Sequence, residues 1–185
     1  MTSWVKSKFP NTPQITTQQL EDKLESCDSP ILVIDCRSSQ EHLVSHIRGS
    51  KHLSFNADED VLNDFLVENG VESGRDITMD QKWADKFTVL LTRIISTLDT
   101  NIVCYCSVGY RSSILANKIN ALGACNASNL EGSMFKWANE GRSIIDFDGN
   151  TTHFVHPYNW FFGLATSPSK WLYKPRSQWI IKVIN

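Results

Sequence analysis

The sequence predicts an α/β fold, and three observations carry the prediction. Between residues 14 and 142, short β-type runs alternate with helical patterns. The runs at 31–35 and 101–106 are short, continuous and largely branched-apolar, as strands buried on both faces of a parallel sheet are. The segments between them place apolar residues at three- and four-residue steps, the period of a helix with one buried face. A chain of 185 residues suits one domain with extensions. A fold of that size buries roughly 70% of its unfolded surface and requires no disulfide or metal to stand.

Taken in order, residues 14–16 form a short strand. Thr16 and Gln19 make a capping box ahead of Leu20 and Leu24, which share a helix face. The strand at 31–35 follows, and 51–53 is a further short strand. Trp83, Phe87, Leu90, Leu91, Ile94 and Leu98 predict a long amphipathic helix ending near Thr100. After the strand at 101–106, Ser112 opens a helix with Leu115, Ile119 and Leu122 on one face, stopped by Gly123. A short strand near 127–129 precedes a helix around 133–140, closed by Gly141.

Two segments stand outside this alternation. Residues 57–80 hold eight acidic residues and only Arg75 as a base; residues 151–185 hold no acid, four Lys/Arg and eight of the 19 aromatics. The expected organisation is an N-terminal extension at 1–13, a domain at 14–150 with an acidic insert at about 57–80, and a basic aromatic extension at 151–185. Trp160, Phe161, Phe162, Trp171, Tyr173 and Trp179 are expected to pack on the domain or to make a dimer contact, rather than stack on bases or enter a membrane face. The extension is also the candidate surface for a protein partner. Its charge, opposite to that of the insert, suggests that the two dock on each other.

Composition excludes several classes. At 41% hydrophobic and 21% charged the chain is not wholly disordered. A net charge of −2 argues against a uniformly basic nucleic-acid binder, and no nucleic-acid partner is expected. No apolar run approaches the roughly 18 residues of a membrane helix. Residues 1–10 contain two lysines and no apolar core, unlike a secretory leader. The five cysteines, an odd number, point to free thiols in a reducing compartment, and the expected location is cytoplasmic.

The segment Cys106-Ser107-Val108-Gly109-Tyr110-Arg111-Ser112 carries the chemistry. It lies between a buried strand and a helix start, at the strand end where open parallel sheets bind ligands. A helix N-terminus offers unpaired N–H groups and the positive end of a dipole. Gly109 permits a tight turn, in which successive N–H groups form a cup for negative charge. Arg111 adds a permanent cation. An ordinary thiol, with pKa near 8.5, is only about 3% thiolate at pH 7. Each of these features favours the thiolate, so Cys106 is expected to be a nucleophile inside an anion cradle, which also suits a terminal persulfide.

This loop resembles the active-site loop of rhodanese-like sulfurtransferases, with its Cys-x-x-Gly-x-Arg-Ser pattern. Asp35-Cys36-Arg37, Glu41 and His46-Ile47-Arg48-Gly49-Ser50 resemble the family's Asp-x-Arg…Glu…His-Ile-x-Gly-Ala signature. Asn129-Leu130-Glu131-Gly132-Ser133 with Trp137 is similar to its Leu-x-Gly-Gly…Trp segment, with Ser133 where the family often has a second glycine. The resemblance implies a five-stranded parallel sheet flanked by helices on both sides, and sulfur transfer through a persulfide on Cys106. The donor would be a small sulfur-containing anion such as thiosulfate, the acceptor cyanide or a thiol. Ser107, Val108, Gly109, Tyr110 and Arg111 would bind the persulfide and the donor's oxyanion. No metal or organic cofactor is implied.

A related fold, that of the dual-specificity cell-cycle phosphatases, places five residues between nucleophile and arginine. Here four residues separate Cys106 from Arg111, with no acidic residue among them. A tetrahedral phosphate needs a wider ring of donors than one sulfur atom, so the shorter loop favours sulfur. A non-catalytic binding module on the same scaffold is the rival of a different class. Asp35 and Arg37 are expected to support the loop after their strand, in a local charged group with Glu41. Cys104 reads as core packing, since the spacing to Cys106 is too short for paired zinc ligands. Cys36, also at a strand end, reads as packing or as a redox partner. No histidine is needed as a base for a persulfide mechanism.

Overall fold

The computed structural model describes residues 2–26, 29–71, 100–122 and 126–157, and the backbone of Trp171–Tyr173 and Ile180–Lys182. Its elements in chain order are α1 (Thr2–Lys8), β1 (Gln14–Ile15), α2 (Thr17–Ser26), β2 (Ile31–Asp35), α3 (Ser39–Val44), β3 (Lys51–His52), α4 (Glu59–Glu68), β4 (Asn101–Tyr105), α5 (Tyr110–Ala121), β5 (Ala127–Leu130) and α6 (Ser133–Asn139). The short strands β6 (Ile144–Ile145), β7 (Thr151–Thr152), β8 (Phe154–Val155), β9 (Trp171–Tyr173) and β10 (Ile180–Lys182) follow.

Strands β1 to β5 form one all-parallel sheet in the order β1-β5-β4-β2-β3. The register pairs Ile31 with Asn101 and Asp35 with Tyr105, so β2 and β4 end side by side. Strand alternation then sorts the side chains onto two faces. Leu32, Ile34, Cys36, Ile102, Cys104, Cys106 and Ala127 pack with Leu62 and Leu66 of α4 and Leu115, Ala116 and Ile119 of α5. On the other face Ile15, Val33, Val103, Tyr105 and Leu130 pack with Leu20 of α2 and with Met134, Phe135, Trp137 and Ala138 of α6. Helices therefore cover both sides of the sheet. Valines from both flanks join this unit: Val5 of α1 is buried, and Val155 of β8 belongs to the second cluster.

The capping box at the start of α2 forms as the sequence predicts, with Thr16 N–H donating to Gln19 Oε1 and Gln19 N–H to Thr16 Oγ1. Three helices were not expected. Helix α3 has six residues, too few to show a period, yet Ser38 and Glu41 cap it reciprocally. Helix α4 lies inside the acid-rich stretch expected to be an insert. Asp58 caps it by accepting from Val61 N–H at 2.9 Å, and Leu62 and Leu66 enter the core one turn apart. The charge of its exposed side hid its apolar edge. Helix α1 falls in the expected N-terminal extension. Helix α5 begins at Tyr110, two residues before the expected Ser112. The predicted helix over 83–98, the Gly123 stop predicted for the helix after Ser112, and acidic residues 72–80 lie outside the described residues.

Leu115 is fully enclosed between α5 and the sheet. Leu115→Ala is expected to destabilise the fold by about 2–5 kcal/mol, through lost burial and the cavity left behind. Urea denaturation followed by circular dichroism measures this, and a loss below about 1 kcal/mol would contradict the packing described.

Candidate active site

Between the end of β4 and the start of α5, the chain turns through Cys106 to Gly109. Gly109 is the N-cap of α5 with φ +107°, a conformation L side chains rarely adopt. Space also selects glycine, because a Cβ there would lie 3.3 Å from Asn129 Nδ2 and 3.6 Å from Val5 Cγ1. The carbonyls of Cys106 and Ser107 accept hydrogen bonds from the Met134 and Phe135 amides, at 3.0 and 3.1 Å, in the first turn of α6. In a trans peptide the N–H opposes its C=O, so the Ser107 and Val108 amides face away from α6. The Gly109 amide donates to Cys106 Sγ at 3.1 Å.

The base of the loop is tied by hydroxyl groups. Cys106 N–H donates to Ser133 Oγ at 3.2 Å, and Ser133 Oγ–H donates to Leu130 O at 3.1 Å. Ser133 itself has φ +52°. Ser112 Oγ–H donates to Asn129 Oδ1 at 2.6 Å, and Asn129 in turn donates to Gln14 Oε1. Cys106 is only 1% exposed. Burial works against its ionisation, but a hydrogen bond from the Cys36 thiol, the Arg111 charge and hydrogen bonds from Ser112 outweigh it and hold its pKa well below that of an ordinary thiol.

Arg111 is clamped by Glu41 of α3. Its Nη1 donates to Glu41 Oε2 at 2.8 Å, and its Nη2 to Glu41 Oε1 at 2.7 Å and to Ser107 Oγ at 2.8 Å. Ser107 Oγ–H donates to Glu41 Oε1, also at 2.8 Å. The Ser38 amide and hydroxyl donate to Glu41 Oε2 from the start of α3, both at 2.9 Å. Burial would raise the Glu41 pKa; Arg111 and the Ser38 amide instead lower it to about 2. The expected grouping of Glu41 with Asp35 and Arg37 is therefore corrected. The cap of α3 aims its carboxylate at the cysteine loop.

Asp35 and Arg37 do pair with each other, both fully buried. Asp35 Oδ1 accepts from Arg37 Nε at 2.9 Å and from the Arg37 amide at 3.1 Å. Its Oδ2 accepts from Arg37 Nη2 at 2.7 Å and Tyr105 Oη at 3.0 Å, with His42 Nδ1 2.9 Å away. Burial alone would raise the Asp35 pKa, but Arg37 and these hydrogen bonds hold it well below the usual carboxylate range. Tyr105 Oη also accepts from the Ile47 amide, so the pair locks the ends of β2 and β4 to the segment before β3.

The remaining predicted site residues take different surroundings. Val108 is half-buried against the second core cluster. Tyr110 is exposed at the loop's edge, stacked by Trp4 at 5.6 Å and met edge-on by Phe9 at 5.1 Å. Cys104 sits in the core, where burial pushes its thiol up. His156 was not anticipated: it follows β8, within electrostatic reach of Glu41, Arg37 and Arg111, and burial lowers its pKa. Nothing in the local sequence marks it. Among the described residues no group of three or more His, Cys, Asp or Glu side chains is arranged to hold a metal ion, and no helix is long and apolar enough to cross a membrane. Cys27, Cys125 and the aromatic side chains from Trp160 to Trp179 lie outside the described residues, as does the suggested docking of tail on insert.

Residues 16–140 match the family model described as Rhodanese-like domain. No curated protein matches significantly. Among solved structures, a thiosulfate sulfurtransferase from Pseudomonas aeruginosa superposes with TM-score 0.53 at 16% identity, covering 81% of this chain and 22% of that one. A Rhodopseudomonas palustris protein of unknown function, described as a possible tyrosine phosphatase, gives 0.49 at 19% identity over 77% of this chain and 89% of its own. A rhodanese-like domain from Anabaena gives 0.49 at 17% identity, over 73% and 80%. The first of these likenesses shows the fold.

Glu41 binds a proton less readily folded than unfolded, so its contribution to stability is complete above its unfolded pKa of about 4.3 and is lost as pH falls through about 2. Glu41→Gln is expected to cost about 3–5 kcal/mol at neutral pH by removing the buried carboxylate that accepts from Arg111. The gap from wild type should narrow between pH 5 and 2. Chemical denaturation at stepped pH measures both effects, and a gap independent of pH would contradict the ion pair.

Proposed function

The chain belongs to the rhodanese-like domain family, and on that premise we propose that it is a sulfurtransferase carrying sulfane sulfur on Cys106. The observation that carries this reading is the Cys106 sulfur accepting from the Gly109 amide at 3.1 Å, where the Arg111 charge favours its thiolate. The thiolate attacks the outer sulfur of a donor such as thiosulfate. The S–S bond to the sulfonate breaks, sulfite leaves with the bonding pair, and Cys106 keeps the outer sulfur as a persulfide anion. The amides of Ser107 to Arg111 stabilise that anion, as an oxyanion hole stabilises developing charge. Cyanide, or a thiol, then takes the outer sulfur and the Cys106 thiolate returns.

The other loop residues have supporting roles in this scheme. Arg111 supplies charge and, through Glu41, keeps the loop closed on the sulfur. Asp35 and Arg37 hold the strand ends in register beneath it. Tyr110, with Trp4 and Phe9, forms an aromatic edge at the loop. The spacing of four residues between Cys106 and Arg111 favours one sulfur atom over a phosphate. The 1% exposure of Cys106 favours a second reading, a non-catalytic module in which the cysteine only packs.

Incubation with thiosulfate, quenched at short times, is expected to add about 32 Da, one sulfur atom, to the intact protein and to leave the mass of Cys106→Ser unchanged. Addition of cyanide to the loaded protein should release thiocyanate and return the original mass. Wild type whose mass does not change and that forms no thiocyanate supports the packing role, and hydrolysis of an aryl phosphate without sulfur uptake supports a phosphatase. Alkylation of Cys106 by iodoacetamide should have its pH midpoint well below that of an ordinary thiol, and Arg111→Met should move the midpoint upward. Mass spectrometry of quenched samples reads that midpoint; one near 9 would contradict the electrostatics of the loop.

A further inference from the structure

Cys36 is a buried thiol that takes no covalent part in the transfer cycle. It follows β2 directly, as Cys106 follows β4. The last registered pair is Asp35 with Tyr105, and the Cys36 amide donates to Tyr105 O at 2.9 Å, so the pairing continues to the two cysteines. Alternation places both side chains on one face, in the same enclosed cluster. Neighbouring strands lie about 4.8 Å apart, inside the Cα separation of roughly 4.4–6.8 Å that a disulfide spans. The loop amides approach Cys106 from the other element, with Gly109 N–H on its sulfur.

We propose that Cys36 is a resolving thiol, which attacks Cys106 Sγ in the persulfide and expels the outer sulfur as sulfide. The inference rests on the sulfur-carrier reading above. The new bond joins the two cysteine sulfurs, and the bond that breaks is between Cys106 Sγ and the outer sulfur. The Cys36 sulfur is oxidised by one electron, the outer sulfur is reduced by one, and the Cys106 sulfur passes from persulfide to disulfide at the same oxidation level. The Cys36 proton leaves with it as hydrosulfide. One turnover needs no outside reductant; an added dithiol resets the pair. Burial and the neighbouring Cys106 charge keep Cys36 protonated at rest; its proton passes to the outer sulfur of the persulfide, which makes Cys36 the attacking thiolate and readies the outer sulfur to leave. The amides that hold the persulfide anion also face the departing charge. The activity assigned is sulfide release from a sulfane donor, alongside transfer to an acceptor.

The test uses the full chain, reduced and freed of reductant, with an equivalent of thiosulfate. As the persulfide is resolved at longer times, wild type is expected to become about 2 Da lighter than the starting protein, to release about one sulfide per chain, and to yield a Cys36–Cys106 cross-linked peptide without reduction. Cys36→Ser, or Cys36→Ala should the serine variant not fold, is expected to keep the added sulfur and release no sulfide. Cys104→Ala should still release it. Wild type that stably retains the added sulfur, or a cross-link from Cys104, overturns the proposal while leaving the carrier reading intact. Wild type whose mass does not change and that releases neither sulfite nor sulfide removes the carrier reading and this inference together.

Discussion

The first turn of α6 donates its Met134 and Phe135 amides to the carbonyls of Cys106 and Ser107. Helix starts always leave such donors without intrahelical partners. Here they fix which way the cysteine loop faces. Because each peptide is planar, anchoring its carbonyls outward sends its amides inward. The loop is thus oriented by a helix almost thirty residues downstream, and the polarity around Cys106 follows from backbone geometry before any side-chain charge is considered.

Side chains then hold that geometry against the cost of burying charge. Two ion pairs serve different ends. Asp35 and Arg37 are fully enclosed and joined to His42 and Tyr105, so their desolvation is offset by several hydrogen bonds at once. They set the relative position of β2 and β4. Glu41 and Arg111 lie between α3 and the loop and share Ser107 as a common partner. That fork fixes the planar guanidinium near the sulfur, where its charge favours the thiolate. A lysine would supply the charge without the two-point register.

The α/β class and the five parallel strands were legible because buried strands and capped helices leave strong local patterns. The runs at 31–35 and 101–105, and the Thr16–Gln19 box, needed no distant information. The cysteine loop was legible for the same reason: a strand, a glycine turn and a helix start follow one another directly. What escaped was cooperation between distant segments. Glu41 stands four residues from Arg37 and seventy from Arg111, so proximity along the chain pointed to the wrong partner. Asn129, Ser112 and Ser133 meet only once β5 and α6 are in place. Helix α4 was masked by its acids, although Leu62 and Leu66 carried the helical spacing. The short α3 offered only its cap.

Ser133 sits in left-handed backbone that costs an L residue about 1 kcal/mol or more relative to glycine. Its hydroxyl meanwhile bridges Cys106 N–H and Leu130 O, joining the end of β4 to the end of β5. Relaxing the main chain and keeping that bridge are mutually exclusive at this position. A glycine there would rest more comfortably but would take away one of the ties on the strand end that carries Cys106, so a gain in thermal tolerance would be a poor guide to how well that sulfur is held in place.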